Sequence, residues 1–300
     1  MQSKLKGNLI LALTALIWGL SFISQTTSMD HIEPSTFNGI RMLIGSAVLL
    51  PFIFFSNKKQ DGGKENVKSD KKSLILGGVV CGVILCAAST LQTYSMVGIS
   101  GGKAAFITAT YIIFVPIISI FFKKRPSLRI IPAIIIAITG FYFLCIKNGE
   151  SLTLGYFETV ALICAVLFSF HIIAVDFFSP RVEGIKLSCI QFFVCAVINI
   201  FCMFAFEHPD INEILKCWFP ILFAGAFSCG LAYTLQIYGQ KYTDPSSATF
   251  IMSLESVFAA IFCWLLPPYV PEDVMSLREI LGCILIFGAI TLIQLPERKK

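Results

Sequence analysis

The chain has 300 residues, 56% of them hydrophobic and 14% charged, with a formal net charge of +5. A soluble domain carries roughly 25% charged and 45–50% apolar residues, and here the charges gather between apolar blocks instead of punctuating them. These figures exclude an ordinary soluble globule, give no support to nucleic-acid binding, and describe a chain whose main solvent is lipid.

Ten apolar blocks follow one another. Each is close to the ~20 residues a helix needs to cross a ~30 Å hydrocarbon core. Backbone groups in lipid must bond within their own segment, and the runs are too long and too uniformly oily for barrel strands, so all ten are predicted to be helices.

The first block, Gly7–Thr27, is too long for a cleaved signal peptide. Its Thr14, Trp18, Ser21, Gln25 and Ser28 recur at steps of three and four, which puts them on one face. Such a stripe faces the bundle interior. It lines a cavity, where Trp18 stacks on a solute, or it bonds neighbouring helices. The second block, Ser35–Phe55, carries Arg41, about two turns from its start. A long Arg at that depth either snorkels to the surface as a topological anchor or pairs with Glu255 of the ninth block. The stretch Ser56–Lys72 is rich in Lys, Asp and Gly and reads as a flexible linker.

The third block, Ser73–Tyr94, has Gln92 near its end, and the fourth, Gly102–Phe122, holds Thr108 and Tyr111. Pro116 in the fourth removes a backbone bond and predicts a local kink, either a hinge or a feature of shape. The fifth block is Leu128–Ile146. In the sixth, Gly155–Asp176, His171 either titrates near neutral pH or bonds a neighbouring helix. Lys103, Glu158 and Asp176 fall near block ends, where they are expected to touch headgroups or water.

The seventh block is Gly184–Phe206, and the eighth, Trp218–Gln240, contains Tyr233 and Gln236. The ninth, Ser246–Leu266, contains Ser253 and, near its middle, Glu255 with no other charge in the block. An ionisable residue at that depth is costly and marks function by default. Glu255 is read as a site for a proton or a cationic group of a solute, against a structural carboxylate bonded to neighbouring helices. The tenth block is Leu277–Leu295.

Ten crossings put both termini on one side of the bilayer. On the other side fall only Lys103, Lys147, Lys216 and Arg278 of the 23 Lys and Arg, with Arg41 inside a helix. The positive-inside rule then makes both termini cytoplasmic in a multi-pass protein of the cytoplasmic membrane.

The chain also repeats itself. The segment from Leu91 aligns without gaps to that from Leu235, matching Gln92 with Gln236, Tyr94 with Tyr238, Ala104 with Ala248, Phe106 with Phe250 and Tyr111 with Glu255. Ser100 and Asp244, both N-cap types, match before the next helix. Gly140 matches Gly288, and ALIWGLSF from Ala15 matches AVLFSFHI from Ala165 more weakly. Five helices is an odd number, so the second copy is inverted. The units are residues 1–150, including the loop 56–72, and residues 151–300. Inverted repeats that enclose a mid-membrane site are a transporter architecture.

The motifs FITATYIIFVP (Phe106–Pro116) and FIMSLESVFAA (Phe250–Ala260), the early Trp18–Gly19 and Arg41 in the second helix resemble the EamA-type branch of the drug/metabolite transporter superfamily. The resemblance runs over all ten blocks. It implies a basket in which helices 1, 3, 4, 6, 8 and 9 surround a central cavity with helices 5 and 10 peripheral, and it implies movement of amino acids or other metabolites, often outward.

No Walker A motif, GxSxG, HExxH or TVGYG-like filter occurs. The eleven cysteines lack metal-ligand spacing and read as small packing residues. The expected protein is therefore an all-α polytopic secondary transporter, not an enzyme. It needs no cofactor, and its partners are a small-molecule solute and the bilayer, with the oligomeric state left open. Its candidate solute- or ion-binding residues are Glu255, Trp18, Ser21, Gln25, Tyr111, Gln92, Gln236, Arg41, His171 and Ser253. The competing readings are a membrane-embedded enzyme and a non-transporting sensor or assembly subunit.

Overall fold

In the computed structural model, residues 2–60, 70–122, 127–146, 149, 154–265 and 276–295 are described. Residues 61–69 of the predicted linker, the basic residues Lys123, Lys124, Arg125, Lys147, Arg298, Lys299 and Lys300, Leu266 and the boundary between residues 150 and 151 lie outside them. Each apolar block is helical, and no strand occurs among the described residues. The helices are α1 (Gln2–Ser28), α2 (Pro34–Gln60), α3 (Lys71–Ser95), α4 (Gly101–Phe121), α5 (Ile130–Cys145), α6 (Tyr156–Phe178), α7 (Gly184–Phe206), α8 (Trp218–Gln240), α9 (Pro245–Met252 continuing as Leu254–Leu265) and α10 (Leu277–Gln294). Among the described residues nine of these are long and apolar enough to cross a membrane, and α5 is a shorter apolar helix of 16 residues.

Local chemistry sets the helix starts. The Ser100 hydroxyl accepts from the Lys103 amide, and at the matching position the Asp244 carboxylate accepts from the Ser247 amide. Both caps satisfy amides that the first turn leaves unpaired. Ser276 and Glu279 form a reciprocal capping box at α10. The start of α2 is capped from a distance: the Glu207 carboxylate, just past α7, accepts from the Ser35 and Thr36 amides at 2.7 Å each.

The packing follows the duplication. α2 lies against α7, α5 against α10 and α4 against α9, three of the five pairs that an exchange of halves maps onto themselves. The contact of α3 with α6 has its counterpart in α8 with α1, and that of α4 with α6 in α9 with α1. Where helices cross closely, glycines make room. A Cβ on Gly140 would come 2.8 Å from the Gly282 carbonyl, and one on Gly282 would come 2.7 Å from that of Gly140, so only glycine allows α5 and α10 this approach. The chain is thus an all-α polytopic membrane protein of ten helices, built as two inverted five-helix repeats around a central cavity. α1 begins and α10 ends together, where Asn8 Nδ2 donates to Gln294 Oε1 at 2.9 Å. We call this the terminal end of the bundle and its opposite the far end.

Two sequence expectations change. Lys103 and Glu158 do not reach for headgroups or water. They are 7% and 9% exposed and form an ion pair of 2.6 Å joining α4 to α6, because the first turns of both helices pack side by side. The interruption of α4 also lies at Thr110, ahead of Pro116. α9 breaks at Ser253, one residue from the equivalent position and with no proline. The shared cause is hydroxyls that bond back within their own helix, Thr110 Oγ1 to the Ile107 carbonyl at 2.5 Å and Ser253 Oγ to the Phe250 carbonyl at 2.8 Å. Such back-bonding bends helices.

Candidate functional site

The break in α4 stands immediately before Tyr111 and that in α9 two residues before Glu255, and both side chains turn into a cavity at the centre of the bundle. The cavity holds about 550 Å³ of atom-free space, its mouth included. Its wall consists of Trp18, Phe22 and Gln25 from α1, Arg41 from α2, Gln92 from α3, and Thr108 and Tyr111 from α4. The second half contributes Phe168, His171 and Ile172 from α6, Ser228, Tyr233 and Gln236 from α8, and Met252 and Glu255 from α9. These are the six helices that the resemblance implies, joined by α2 through Arg41; α5 and α10 contribute nothing. Only Trp18, Phe168 and Glu255 of the wall are more than 9% exposed, so most of the wall is buried within the bundle.

Much of the wall comes in repeat-related pairs. Gln92 faces the same space as Gln236, Tyr111 as Glu255, Thr108 as Met252, Trp18 as Phe168 and Phe22 as Ile172. Inverted copies place equivalent residues around one axis, so a side chain directed inward in one half has a counterpart directed inward in the other.

Glu255 is held between α4 and α1. The Tyr111 hydroxyl donates to Glu255 Oε1 at 3.4 Å. On the other side Gly19 lets α1 close onto α9, since a Cβ there would meet Phe258 Cβ at 2.6 Å and the Glu255 carbonyl at 2.9 Å. The pairing of Trp18 with Gly19 thus puts an aromatic ring on the cavity beside the close contact. The Trp18 ring lies against Tyr233, centroids 4.7 Å apart, and His171 meets Tyr233 edge-on at 6.1 Å. Tyr233 ends a π-helical stretch of α8, Ala224–Tyr233, that also supplies Ser228. Wide turns of this kind are frequent at functional sites.

Arg41 is 2% exposed and therefore does not snorkel to the surface. It forms no ion pair with Glu255 either. Its Nε donates to Asn38 Oδ1 at 2.9 Å, and its guanidinium lies 4.9 Å from the centre of the Phe37 ring. His171 bonds Gln191 of α7, with Nε2 3.2 Å from Oε1. Several polar atoms of the wall have no protein partner among the described residues: Trp18 Nε1, Gln25 Oε1, Thr108 Oγ1, His171 Nδ1 and Gln236 Oε1. These atoms are free to bond water or a solute; eight further buried polar atoms away from the wall, Ser119 Oγ and Ser188 Oγ among them, likewise have no protein partner among the described residues.

Eight of the ten residues singled out by sequence line the cavity. Ser21 and Ser253 do not. Both are fully buried, and Ser253 spends its hydroxyl on its own helix. Thr14 and Ser28 of the α1 stripe likewise bond the Ile10 and Ser24 carbonyls. The Ser21 hydroxyl, by contrast, has no protein partner among the described residues, while Trp18 and Gln25 line the space. Phe22, Phe168, Ile172, Ser228 and Met252 escaped the sequence reading. Phe168 and Met252 were within reach as the repeat partners of Trp18 and Thr108; the others carried no signal among so many apolar residues.

Comparison with known proteins completes the description. The sequence pattern of the EamA-like transporter family matches twice, over residues 5–146 and 156–295. A protein of Archaeoglobus fulgidus named "Uncharacterized transporter" is 31% identical over 289 residues, covering 95% of this chain and 83% of its own. "Uncharacterized transporter YoaV" of Bacillus subtilis is 24% identical over 277 residues and covers 90% of each. A solved crystal structure superposes with a TM-score of 0.73 over 96% of each chain at 16% identity, which shows likeness of fold alone.

Proposed function

The chain belongs to the EamA-like transporter family and is a membrane transporter; on that premise we propose that it is a secondary transporter that exports a small metabolite, an amino acid or related solute, by alternating access. The units 1–150 and 151–300 are the halves that rock against each other, in the cytoplasmic membrane with both termini inside.

The observation that carries this reading is Glu255, a carboxylate in the middle of a membrane helix, facing the central cavity, with one weak partner in Tyr111. A structural carboxylate in lipid would be expected to have its bonds completed by the protein. Glu255 instead keeps capacity for a proton or an ammonium group. Trp18, Tyr111, Phe168 and Tyr233 supply apolar walls and ring faces for the rest of the solute. A cavity walled by both inverted halves is the arrangement alternating access uses, since rocking of one half against the other changes the side to which it opens.

The test is transport by the full chain in proteoliposomes, reading efflux of a radiolabelled amino-acid mixture with and without a pH gradient. Glu255→Gln is expected to lower the rate at least tenfold and to remove its dependence on pH. A Glu255→Gln protein with the parent's rate and pH profile removes Glu255 from the mechanism. A parent protein with no flux for any mixture removes the reading itself.

A further inference from the structure

Arg41 is a buried cation without a counter-ion. Among the described residues no carboxylate pairs with it, and Asn38 Oδ1 is the acceptor it reaches, through Nε alone. An unpaired buried charge is among the most costly arrangements in a membrane helix, and the guanidinium stands on the cavity wall. Nε faces backward into the protein, so the two terminal Nη groups form the planar fork that matches an oxyanion.

The backward contact is built with care. Asn38 is fully buried, and its Nδ2 donates to Thr93 Oγ1 at 2.8 Å and to the Pro34 carbonyl at 2.9 Å. These bonds to α3 and to its own helix fix the amide with Oδ1 toward Arg41. Phe37, also fully buried, flanks the guanidinium. At the equivalent place in α7, as far from Gly184 as Arg41 is from Pro34, stands the neutral Gln191, which bonds His171. The second half therefore has no matching cation.

We propose that Arg41, aimed by Asn38 as a positioning residue, is an anion subsite of the cavity that receives a carboxylate of the solute. The inference rests on the transporter reading above but is tested by binding, so either can fail without the other. The same chemistry would hold a chloride ion, and the experiment separates the two sources.

Trp18 lines the cavity and reports on it once the chain's other two tryptophans are replaced, as Trp218→Phe and Trp264→Phe. The purified full-length protein in detergent is titrated at constant ionic strength with propionate, with its neutral isostere propionamide, and with chloride, while Trp18 fluorescence is read. Propionate is expected to saturate the signal, and propionamide is not. Saturation by chloride at equal or lower concentration would keep the anion subsite and assign it to an inorganic ion, overturning the carboxylate assignment. Equal responses to propionate and propionamide, or no saturable response to either anion, overturn the subsite without need of any variant.

Charge-assisted bonds are worth about a factor of ten each or more. Arg41→Gln is therefore expected to weaken propionate at least about tenfold. Asn38→Asp places a carboxylate on the guanidinium and is expected to abolish propionate binding in a protein that still melts cooperatively, its melting temperature shifted by the lost bonds to Thr93 and the Pro34 carbonyl. Arg41→Lys keeps the charge but loses the fork and is expected to fall between. Propionate binding that survives both Arg41→Gln and Asn38→Asp sinks the proposal.

Discussion

At the far end of the bundle, Lys103 of α4 and Glu158 of α6 meet as a buried ion pair of 2.6 Å. At the terminal end the equivalent positions are Ser247 of α9 and Asn8 of α1, and Asn8 makes neutral bonds, to Thr243 at 3.2 Å and to Gln294 at 2.9 Å. A second contrast lies beside the first. At the far end Gly98, on the turn before α4, sits under the Phe157 ring of α6. At the terminal end the small and large partners trade places, with Gly7 on α1 and Tyr242 on the turn before α9. The duplicated backbone thus uses the same joint at both ends, while side chains make one joint ionic and the other neutral. Under the alternating-access proposal, ends joined with different strength would give unequal resting states on a nearly symmetric scaffold. The cavity shows the same division, with Arg41 in one half and Gln191 at its counterpart.

The largest effect is expected from breaking the ionic joint. Lys103→Met leaves Glu158 without its partner. Losing one member of a buried pair costs about 3–5 kcal/mol. Both groups lie in first turns, where water can reach a freed charge, so we expect about 2–3 kcal/mol, read as a lower melting temperature in detergent. The double variant Lys103→Met with Glu158→Gln is expected to recover most of the loss, and failure to do so would show that the pair is not the source of the difference between the ends.

The glycine contrast predicts an unequal pair of smaller effects. A Cβ on Gly7 would meet Tyr242 Cβ at 2.8 Å and the Gly239 carbonyl at 3.0 Å, atoms that cannot swing aside. The atoms nearest a Cβ on Gly98 belong to the Phe157 ring, which can rotate away about its own side-chain bonds. Gly7→Ala is therefore expected to cost about 1–3 kcal/mol, and Gly98→Ala less, although its overlap is the more severe on paper. Equal losses would mean that Phe157 is as fixed as backbone. The smallest effect is expected from Asn8→Ala, since interhelical bonds in membranes average only about 0.6 kcal/mol each. A loss from Asn8→Ala as large as that from Lys103→Met would erase the proposed inequality of the two ends.

Much of this molecule was legible without coordinates. The third block, Ser73–Tyr94, became Lys71–Ser95, and the tenth, Leu277–Leu295, became Leu277–Gln294. The caps at Ser100 and Asp244, the pairing of Gln92 with Gln236 and of Tyr111 with Glu255, and the inward side of Trp18 and Gln25 were readable from spacing and self-similarity. Ser21 shows the limit. It shares the α1 stripe, yet the stripe covers more of the helix surface than the cavity touches, so helical period alone could not exclude it. Lys103 and Glu158 show another limit. A charge near a helix end looks solvated until the neighbour that covers it is known.

By itself the sequence determined what depends on the chain's own period and on the bilayer: the number and length of the spans, the parity that inverts the second copy, the caps, and the depth of Glu255. These are one-dimensional constraints, because an oily run must pair its own backbone and must match the thickness of lipid. Only the tertiary structure decided which polar groups meet across helices far apart in sequence: Asn38 against Arg41 with Thr93 behind it, His171 against Gln191, Tyr233 against Trp18, and Lys103 against Glu158. Those pairings follow from how ridges and glycine notches such as Gly19 and Gly140 let the helices settle, and the close fit of neighbouring surfaces leaves no trace in the period of any single helix.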